Sequence, residues 1–273
     1  ADVVIPAPRV AVPAFNVPAS ISDVPAAALR QDALGINLSD DIGFVPGLLA
    51  FDRHNYAQDQ QVSIRGIGAN SAFGIRGVRI YQDGIPQTGP DGQGQISQFN
   101  LDSAQRVEVL EGPFSALYGN ASGGVIQIFT ADGTAPGDIR TNLGYGSFGQ
   151  VRAGVDASDA VGPLAVNSDG MYCAFDGYRP HKNARNESFN SKASYTFAPR
   201  NTLTLITNIV SRPDADDPAG LTAAQLAANP DQTSAAALQF NTRKSLDQQE
   251  AGLIYDLGLT DHQSLRLMGY YGH

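Results

Sequence analysis

The sequence predicts a small α+β domain followed by antiparallel, membrane-spanning β-strands. In the first half, short apolar runs rich in β-branched and aromatic residues are separated by Gly and Pro breaks, as expected for a mixed sheet. In the second half, runs of about ten residues alternate apolar and polar positions, which is the pattern of transmembrane strands. The links between these later runs are short at one end and long at the other, as in transmembrane barrels.

The composition excludes several functional classes. The 273 residues carry a net charge of −9 with only three lysines, which disfavours nucleic acid because phosphate binding needs clustered Lys and Arg. Cys173 is the single cysteine and the four histidines lie far apart, so neither a disulfide framework nor a metal site is predicted. No apolar run approaches the roughly 18 residues that a membrane-spanning helix requires. The chain opens at Ala1 without a signal sequence, so we expect a mature or trimmed form.

The first half begins with an arm and continues as a compact domain. Residues 1–24 contain four prolines that forbid a helix or a central strand, so an extended, mobile arm is predicted. Pro25 suits the first position of a helix in "PAAALRQ", and "LSDDIGFVPG" indicates a short helical turn. Strands are predicted at "QVSIRGI", "GVRIYQDG", "RVEVLEG" and "GVIQIFT".

The glycine-rich stretch "RVEVLEGPFSALYGNASGGVIQIFT" (residues 106–130) raises the question of a phosphate-binding loop. Such a loop needs a Lys followed by Ser or Thr after its last glycine. Here Gly124 is followed by Val125 and Ile126. The phosphate loop is therefore excluded, and the glycines are expected to form tight turns.

The second half predicts seven strands of period two. In "QVRAGVDAS", for example, Val151 and Val155 alternate with Arg152 and Asp156. A soluble antiparallel sheet with one buried face would give the same alternation, but the long excursion within residues 212–247 favours a barrel. The strands are expected near residues 138–146, 149–158, 164–178, 187–197, 201–211, 248–258 and 264–272.

Seven strands cannot close a barrel of this kind by themselves. An open edge would leave unpaired backbone groups in hydrocarbon, at a cost of several kcal/mol per group. We therefore expect the chain to be a fragment whose remaining strands lie on further sequence. A short helix is also expected within the long excursion, at "LTAAQLAANP", ending before Pro230.

Several motifs together resemble the plug domain of TonB-dependent outer-membrane receptors. "VSIRGIG" is similar to that family's IRG strand, "IYQDGIP" to its DGIP element, and residues 106–130 to its longest plug signature. "DVVIPAP" is similar to the TonB box, the arm segment that pairs with the periplasmic protein TonB, and "GYGSFGQ" to the first barrel hairpin. These motifs cover most of residues 1–160 in the family's order and spacing.

The resemblance implies an architecture and a function. The expected fold is an α+β plug domain followed by antiparallel transmembrane strands of an incomplete 22-stranded barrel. Residues 1–24 would be the arm, 25–135 the plug, and 136–273 the first seven or so barrel strands. The protein would be a receptor in the bacterial outer membrane that binds a scarce polar nutrient, most often a ferric siderophore in this family, and imports it with energy from TonB. TonB, an iron chelate and the lipid bilayer are the partners implied, whereas nucleic acid, a cofactor and enzymatic activity are not expected.

The same resemblance assigns roles to particular residues. Contact with TonB is expected from Asp2, Val3, Val4 and Ile5. Polar loops at the plug apex are expected to bind ligand through Asn70, Phe73, Arg76, Gln87, Asp91, Gln93, Gln95 and Gln98, and a barrel loop through Lys182 and Arg185. Structural roles in the plug are expected for Arg65, Gly66, Asp83, Gly84, Arg106, Glu108, Gly112, Pro113, Tyr118, Gly119, Gly123 and Gly124, with Pro113 starting a short helix.

This chain departs from the family pattern at two positions. Glu111 stands where the family usually has a basic residue, and Gln127 where it usually has Asn. In the family, plug arginines pair with barrel glutamates and latch the plug. Arg65 keeps its place, but Glu111 reverses the charge at the second position, so a rearranged latch through Arg106 is expected.

Other functions remain open at this level. One alternative is a passive porin or adhesin-like barrel with a ligand-binding plug, and another is a TonB-dependent receptor for cobalamin or glycans. A secreted enzyme has little support, because Asp83 and Glu108 have no accompanying nucleophile–base pair or metal set. The carboxylates of "RPDADDP" lack the EF-hand spacing, so calcium is not expected there.

Overall fold

The computed structural model divides the chain into two compact units. One comprises residues 1–52 and 59–130, and the other comprises residues 53–58 and 131–273. The described residues are 4–5, 12–13, 19–29, 38–51, 55–71, 74–95 and 99–273. Near the N-terminus, Val4–Ile5 (β1) pairs antiparallel with Val12–Pro13 (β2).

The first unit is built on a five-stranded mixed sheet in the order β3-β8-β9-β6-β7. Strands β6 and β9 run parallel, and the other neighbouring pairs are antiparallel. A separate pair of strands, β4 and β5, is also antiparallel. The strands are β3 (Ser20–Pro25), β4 (Leu48–Phe51), β5 (Gln61–Ile64), β6 (Val78–Gln82), β7 (Ile85–Pro86), β8 (Ala104–Glu111) and β9 (Gly124–Thr130), and the helices are α1 (Ala26–Leu29), α2 (Leu38–Ile42) and α3 (Ser115–Tyr118).

Both faces of this sheet are covered by apolar packing. Val107, Val109 and Ile126 belong to the larger core cluster, whereas Leu110 and Val125 belong to a smaller cluster with Tyr81 and Tyr118. Burial on both faces explains why β9 is a near-continuous apolar run. The four strands predicted for this domain are confirmed, each within a few residues.

Two motifs of the first unit are tight hairpin turns. Arg65-Gly66 connects Ile64 to Ile67, and Asp83-Gly84 connects β6 to β7. The φ angles are 50° and 83° in the first turn and 50° and 87° in the second. Positive φ at both central residues is the requirement of a type I′ turn, for which Asp-Gly is a preferred pair.

The structure differs from the sequence prediction at the end of the arm. Ser20–Pro25, expected to belong to the arm or to start a helix, forms β3 and pairs with β8. Val24 is buried on this strand, which accounts for its attachment to the sheet. Because β3 is an edge strand, Pro25 is tolerated at its end, and α1 begins only at Ala26.

The second unit is a seven-stranded antiparallel sheet whose strands follow one another in chain order. The seven predicted strands are confirmed, although β14 and β15 extend several residues further than predicted. They are β10 (Asp138–Tyr145), β11 (Val151–Val161), β12 (Leu164–Phe175), β13 (Ala184–Ala198), β14 (Asn201–Asp216), β15 (Arg243–Thr260) and β16 (Gln263–Gly272).

Links at one end of this sheet are two residues long, whereas those at the other end are longer and include the excursion of residues 217–242. The excursion carries the predicted helix α4 (Ala223–Ala228) and a second helix, α5 (Ala235–Phe240). A capping box between Thr222 and Gln225 begins α4. No helix among the described residues is long and apolar enough to cross a bilayer.

The two faces of the seven-stranded sheet differ in polarity as predicted. One face carries a row of polar side chains that stand opposite one another on successive strands: Asp156, Asp169, Asn190 and Asn208, all buried. The other face exposes large apolar side chains, including Val155, Leu205, Ile209, Leu253 and Tyr271. One face thus carries buried polar side chains and the other carries exposed apolar side chains. This is the reverse of the pattern in a water-soluble sheet, whose apolar face is the buried one.

We predict that Gly124→Ala destabilises the first unit by about 2 kcal/mol or more. Gly124 has a φ of 154°, and an added Cβ would lie 2.8 Å from Ile64 Cδ1 and collide with the Leu110 carbonyl. Hydrogen exchange of β8 and β9 amides in the intact protein measures the effect. Gly220→Ala is the control, since its Cβ would meet open space; equal protection in both variants would contradict the prediction.

Candidate functional site

The two polar loops expected to bind ligand are joined in the first unit. Ile75 and Gly94 exchange both backbone hydrogen bonds, at 2.9 and 2.8 Å. Beside this bridge, the Arg76 guanidinium donates to Gln93 Oε1 at 3.3 Å. Backbone and side-chain hydrogen bonds therefore hold the two polar loops next to each other.

A shallow depression of about 410 Å³ lies on the first of these loops. We call it the cup; its lining residues are Gly66, Ile67, Gly68, Asn70, Ser71, Arg76 and Gly77. Gly68 has a φ of 98°, and an added Cβ would lie 2.7 Å from the Val62 carbonyl oxygen, so glycine is required there. The lining combines backbone, amide and hydroxyl groups with one cation, Arg76, which suits a polar or anionic ligand.

The structure separates the predicted ligand-binding residues into groups. Asn70 and Arg76 line the cup, and Gln93 orients Arg76. Asp91 accepts from the Gln93 backbone N–H at 3.1 Å and so shapes its own loop. The Gln95 amide lies 3.5 Å from Asp59 Oδ2 and the Gln87 N–H donates to the Ile80 carbonyl, whereas Phe73 and Gln98 lie outside the described residues.

Sequence reasoning missed Ser71 as a lining residue, although it lies within the loop singled out for binding. Of the residues expected to contact TonB, Val4 and Ile5 form β1, and Asp2 and Val3 lie outside the described residues. Gly66, Ile67 and Gly68 also line the cup, because the type I′ turn at Arg65-Gly66 brings their backbone there. A search for polar side chains in the sequence does not find them, but the IRG motif at residues 64–66 marks the turn.

Several residues with an expected structural role close the end of the sheet. Asp83 accepts from the Thr130 backbone N–H at 3.0 Å and from its hydroxyl at 2.6 Å, and so fixes the last residue of β9. The Tyr118 ring packs edge-on against Tyr81 with 5.4 Å between centroids. Gln127, which departs from the family pattern, donates to the Tyr118 hydroxyl at 3.3 Å.

The glycines of the 106–130 stretch shape the chain around α3. Gly112 has a φ of 126° and donates its N–H to the Gly123 carbonyl at 3.0 Å, and Gly119 has a φ of 74° at the helix end. The helix starts at Ser115 after Phe114, and not at Pro113 as predicted. The Leu117 and Tyr118 N–H groups both donate to the Phe114 carbonyl at 3.0 Å and so close the first turn.

Glu111, the charge reversal, is paired within the first unit. Its Oε2 lies 3.0 Å from Arg65 Nη2, with Glu111 nearly buried and Arg65 half-exposed. The latch through Arg106 stays a prediction. Within the first unit, Arg106 contacts Glu108 at 3.0 Å and Asp23 at 3.8 Å, and stacks 4.2 Å from the Phe129 ring centroid.

Arg106 contacts two carboxylates, of which Glu108 is buried and Asp23 is partly exposed. Asp23 on β3 and Glu108 on β8 stand directly opposite each other across the strand pair. Burial raises the pKa of Glu108 to about 7, opposed by the hydrogen bond and charge of Arg106 and assisted by the charge of Asp23. Burial also raises the pKa of Asp23, opposed by Arg106. One arginine thus faces two carboxylates that are costly to ionise together.

The two predicted cations of the second unit are already engaged. Lys182 is buried, and its Nζ lies 4.0 Å from the centroid of the Tyr178 ring. Arg185 lies 3.5 Å from Asp214 and 3.8 Å from Glu187. Within the described residues, no three His, Cys, Asp or Glu side chains are grouped so that they would hold a metal ion.

We predict that the stability of the first unit falls as pH rises from about 4.5 to about 7, and that Glu108→Gln removes this loss. The folded carboxyl binds its proton more tightly than the unfolded one, whose pKa is 4.5, so its stabilising effect is full at low pH and lost above its folded pKa of about 7. The change amounts to about 3 kcal/mol at most. Urea unfolding followed by β8 hydrogen exchange measures it.

Glu187→Gln is the matched control for that experiment, because it makes the same change at a half-exposed side chain of the second unit. It should leave the pH dependence of the first unit unchanged. A Glu108→Gln variant that keeps the pH dependence of the parent would show that Glu108 is not its source.

Comparison with known proteins agrees with these features. Residues 13–125 match the family model described as the TonB-dependent Receptor Plug Domain. The ferric yersiniabactin uptake receptor FyuA from Yersinia pestis is 22% identical with a TM-score of 0.73, over 93% of this chain and 40% of that one. The siderophore receptor PirA from Acinetobacter baumannii is 19% identical with a TM-score of 0.68, over 92% and 39%. The copper transporter OprC is 16% identical with a TM-score of 0.70, over 92% and 37%.

At these identities the structural likeness establishes the fold, and this chain spans about two fifths of the length of those proteins. A plug domain is a module of transport receptors and not of enzymes, which confirms that expectation from the sequence. The predicted fold class, a plug domain followed by antiparallel strands of an incomplete barrel, is likewise confirmed. The predicted total of 22 strands stays a prediction. The chain carries a plug domain of the TonB-dependent receptor family, joined to antiparallel strands that have the fold of the barrels of those receptors.

Proposed function

We propose that this chain belongs to a bacterial outer-membrane receptor that binds a ferric siderophore and imports it with energy from TonB. In this proposal residues 1–24 include the TonB-contacting segment, the first unit is the plug, and the seven strands belong to a barrel of 22. The bilayer contacts the exposed apolar face of the sheet. The single observation that carries the proposal is the cup on a plug domain whose two polar loops are joined.

The chemistry of the cup favours an oxygen-rich, anionic ligand. Arg76 is the one charged side chain in the lining, and Gln93 Oε1 holds its guanidinium at 3.3 Å. Asn70 and Ser71 add an amide and a hydroxyl. A guanidinium with neighbouring neutral donors matches the carboxylate, hydroxamate or phenolate oxygens of an iron chelate.

The similar structures support this ligand class without fixing the ligand. FyuA and PirA are described as receptors for ferric yersiniabactin and a siderophore, whereas OprC is described as a copper transporter. Lys182 in the link of residues 176–183 and Arg185 at the start of β13 would then act by shaping this end of the sheet, since both already contact neighbouring side chains. Ferric siderophores are therefore the first ligands to test, with copper, cobalamin and glycans as the alternatives.

We predict that a strain lacking the receptor regains growth on one ferric siderophore when the intact gene is restored, but not when residues 1–10 are deleted. Loss of the arm removes the segment through which TonB would pull. Growth is measured in iron-limited medium with a panel of ferric siderophores, and in parallel with cobalamin, glycans or copper as the limiting nutrient. Undiminished uptake after the deletion would contradict energy coupling and favour a passive barrel.

We predict that Arg76→Ala lowers the affinity for the siderophore about tenfold, the effect of losing one hydrogen bond to a charged group. Arg200→Ala is the matched control, because Arg200 is half-exposed in a short link and contacts Asp261. Binding is measured on the purified receptor with the siderophore that supports growth. Equal affinities in the two variants would exclude the cup as the binding site.

A further inference from the structure

The link of residues 176–183 and the excursion of residues 217–242 are tied together within the second unit. The Arg179 guanidinium donates to the Ala219 carbonyl at 2.9 Å, and the Thr233 hydroxyl donates to the Pro180 carbonyl. His181 follows directly in the link, and its side chain is only 10% exposed. The three successive link residues 179–181 therefore all lie next to the excursion or next to the strand end from which it starts.

His181 faces a hydrogen-bond acceptor at each ring nitrogen. Its Nδ1 lies 3.3 Å from Asp216 Oδ2, and its Nε2 lies 2.9 Å from the Thr242 carbonyl oxygen. A neutral imidazole carries one N–H and can donate to only one of them, whereas the imidazolium donates to both. An ionised carboxylate and a carbonyl cannot donate in return. The geometry is therefore satisfied by the charged ring alone.

The neighbouring charges leave Asp216 available to the ring. Arg243 Nη1 and Arg185 Nη2 both approach Asp214, at 3.3 and 3.5 Å. Arg243 Nε lies 3.8 Å from the other oxygen of Asp216, beyond hydrogen-bonding distance. Other charged groups of these elements include Asp176, Arg179 and Lys182 in the link, Glu187 on β13, Lys244 on β15 and Asp217, which accepts from the Asn55 amide at 2.8 Å.

We propose that His181 is a proton-operated clasp that holds the excursion of residues 217–242 onto the 176–183 link. The charged ring bonds Asp216, the last residue of β14, together with Thr242, the last residue of the excursion. When the ring loses a proton, one of its two nitrogens can no longer donate a hydrogen bond, and the lone pair of that nitrogen then faces an acceptor oxygen. The excursion is then held to the link by one hydrogen bond of the ring instead of two. His181 is thus a positioning residue. This role goes beyond the proposed function and does not depend on the ligand.

The clasp predicts a dependence on pH with a definite sign. Only the charged ring satisfies both acceptors, so the clasp is complete while the ring is protonated and is lost when the proton leaves on the basic side. Hydrogen exchange of residues 217–242 in the purified, full-length protein, corrected for intrinsic exchange rates, measures it. Protection should be about tenfold greater at the acidic limit, the fold-change for one charge-assisted hydrogen bond.

Variants separate the clasp from a general effect of pH. His181 has a φ of 59°, a conformation that Asn also tolerates, so His181→Asn should keep the backbone and abolish the pH dependence. His262→Asn, in an exposed two-residue link, should retain it. A parent protein whose protection does not change with pH, or a His181→Asn variant that behaves as the parent, would overturn the proposal.

A second variant decides the matter if His181→Asn lowers protection throughout the seven-stranded sheet. Asp216→Asn keeps an acceptor oxygen near Nδ1 but removes the negative charge that favours the imidazolium. It should reduce the gain of protection of residues 217–242 on the acidic side, while amides of β13 and β14 far from the clasp stay protected. An undiminished gain in this variant would also overturn the proposal.

Discussion

The pairing of consecutive strands in the second unit is the constraint on which the rest of the structure depends. From Asp138 to Gly272, each strand bonds to the next in chain order. Backbone groups between neighbouring strands are thus paired within the sheet, as the proposed position in a bilayer requires. Once the backbone is paired, the side chains are free to alternate, with apolar residues on one face and the buried row through Asn190 on the other.

In the first unit, the corresponding constraint is the pairing of the charged side chains that are buried in its mixed sheet. Two ion-pair systems among its described residues lie at β8: Arg65 meets Glu111, and Arg106 meets Glu108 and Asp23. Glu108 and Glu111 are buried, so removing the arginine that faces either one leaves an uncompensated buried charge. The edge strand β3, directly after the arm, is held by the second of these systems.

Much of this could be predicted from the sequence, because period-two alternation and turn residues are local signals. The seven strands and the core strands β8 and β9 followed from them. The edge strand β3 did not, since its Pro-rich surroundings argued for an arm and its partner lies more than 80 residues away. The Arg65–Glu111 pair and the contacts of His181 are also long-range: no local pattern brings residues 65 and 111, or 181 and 242, together.

The most direct test of the account is to measure which side chains of β14 contact lipid. In a background with Cys173 replaced by Ser, single cysteines at positions 203 to 210 are spin-labelled in the membrane-embedded protein. The account predicts that labels at the positions of Leu203, Leu205, Thr207 and Ile209 are accessible to a lipid-soluble relaxation agent, and that labels at the intervening positions are not. Uniform accessibility to a water-soluble agent on the apolar face would contradict it.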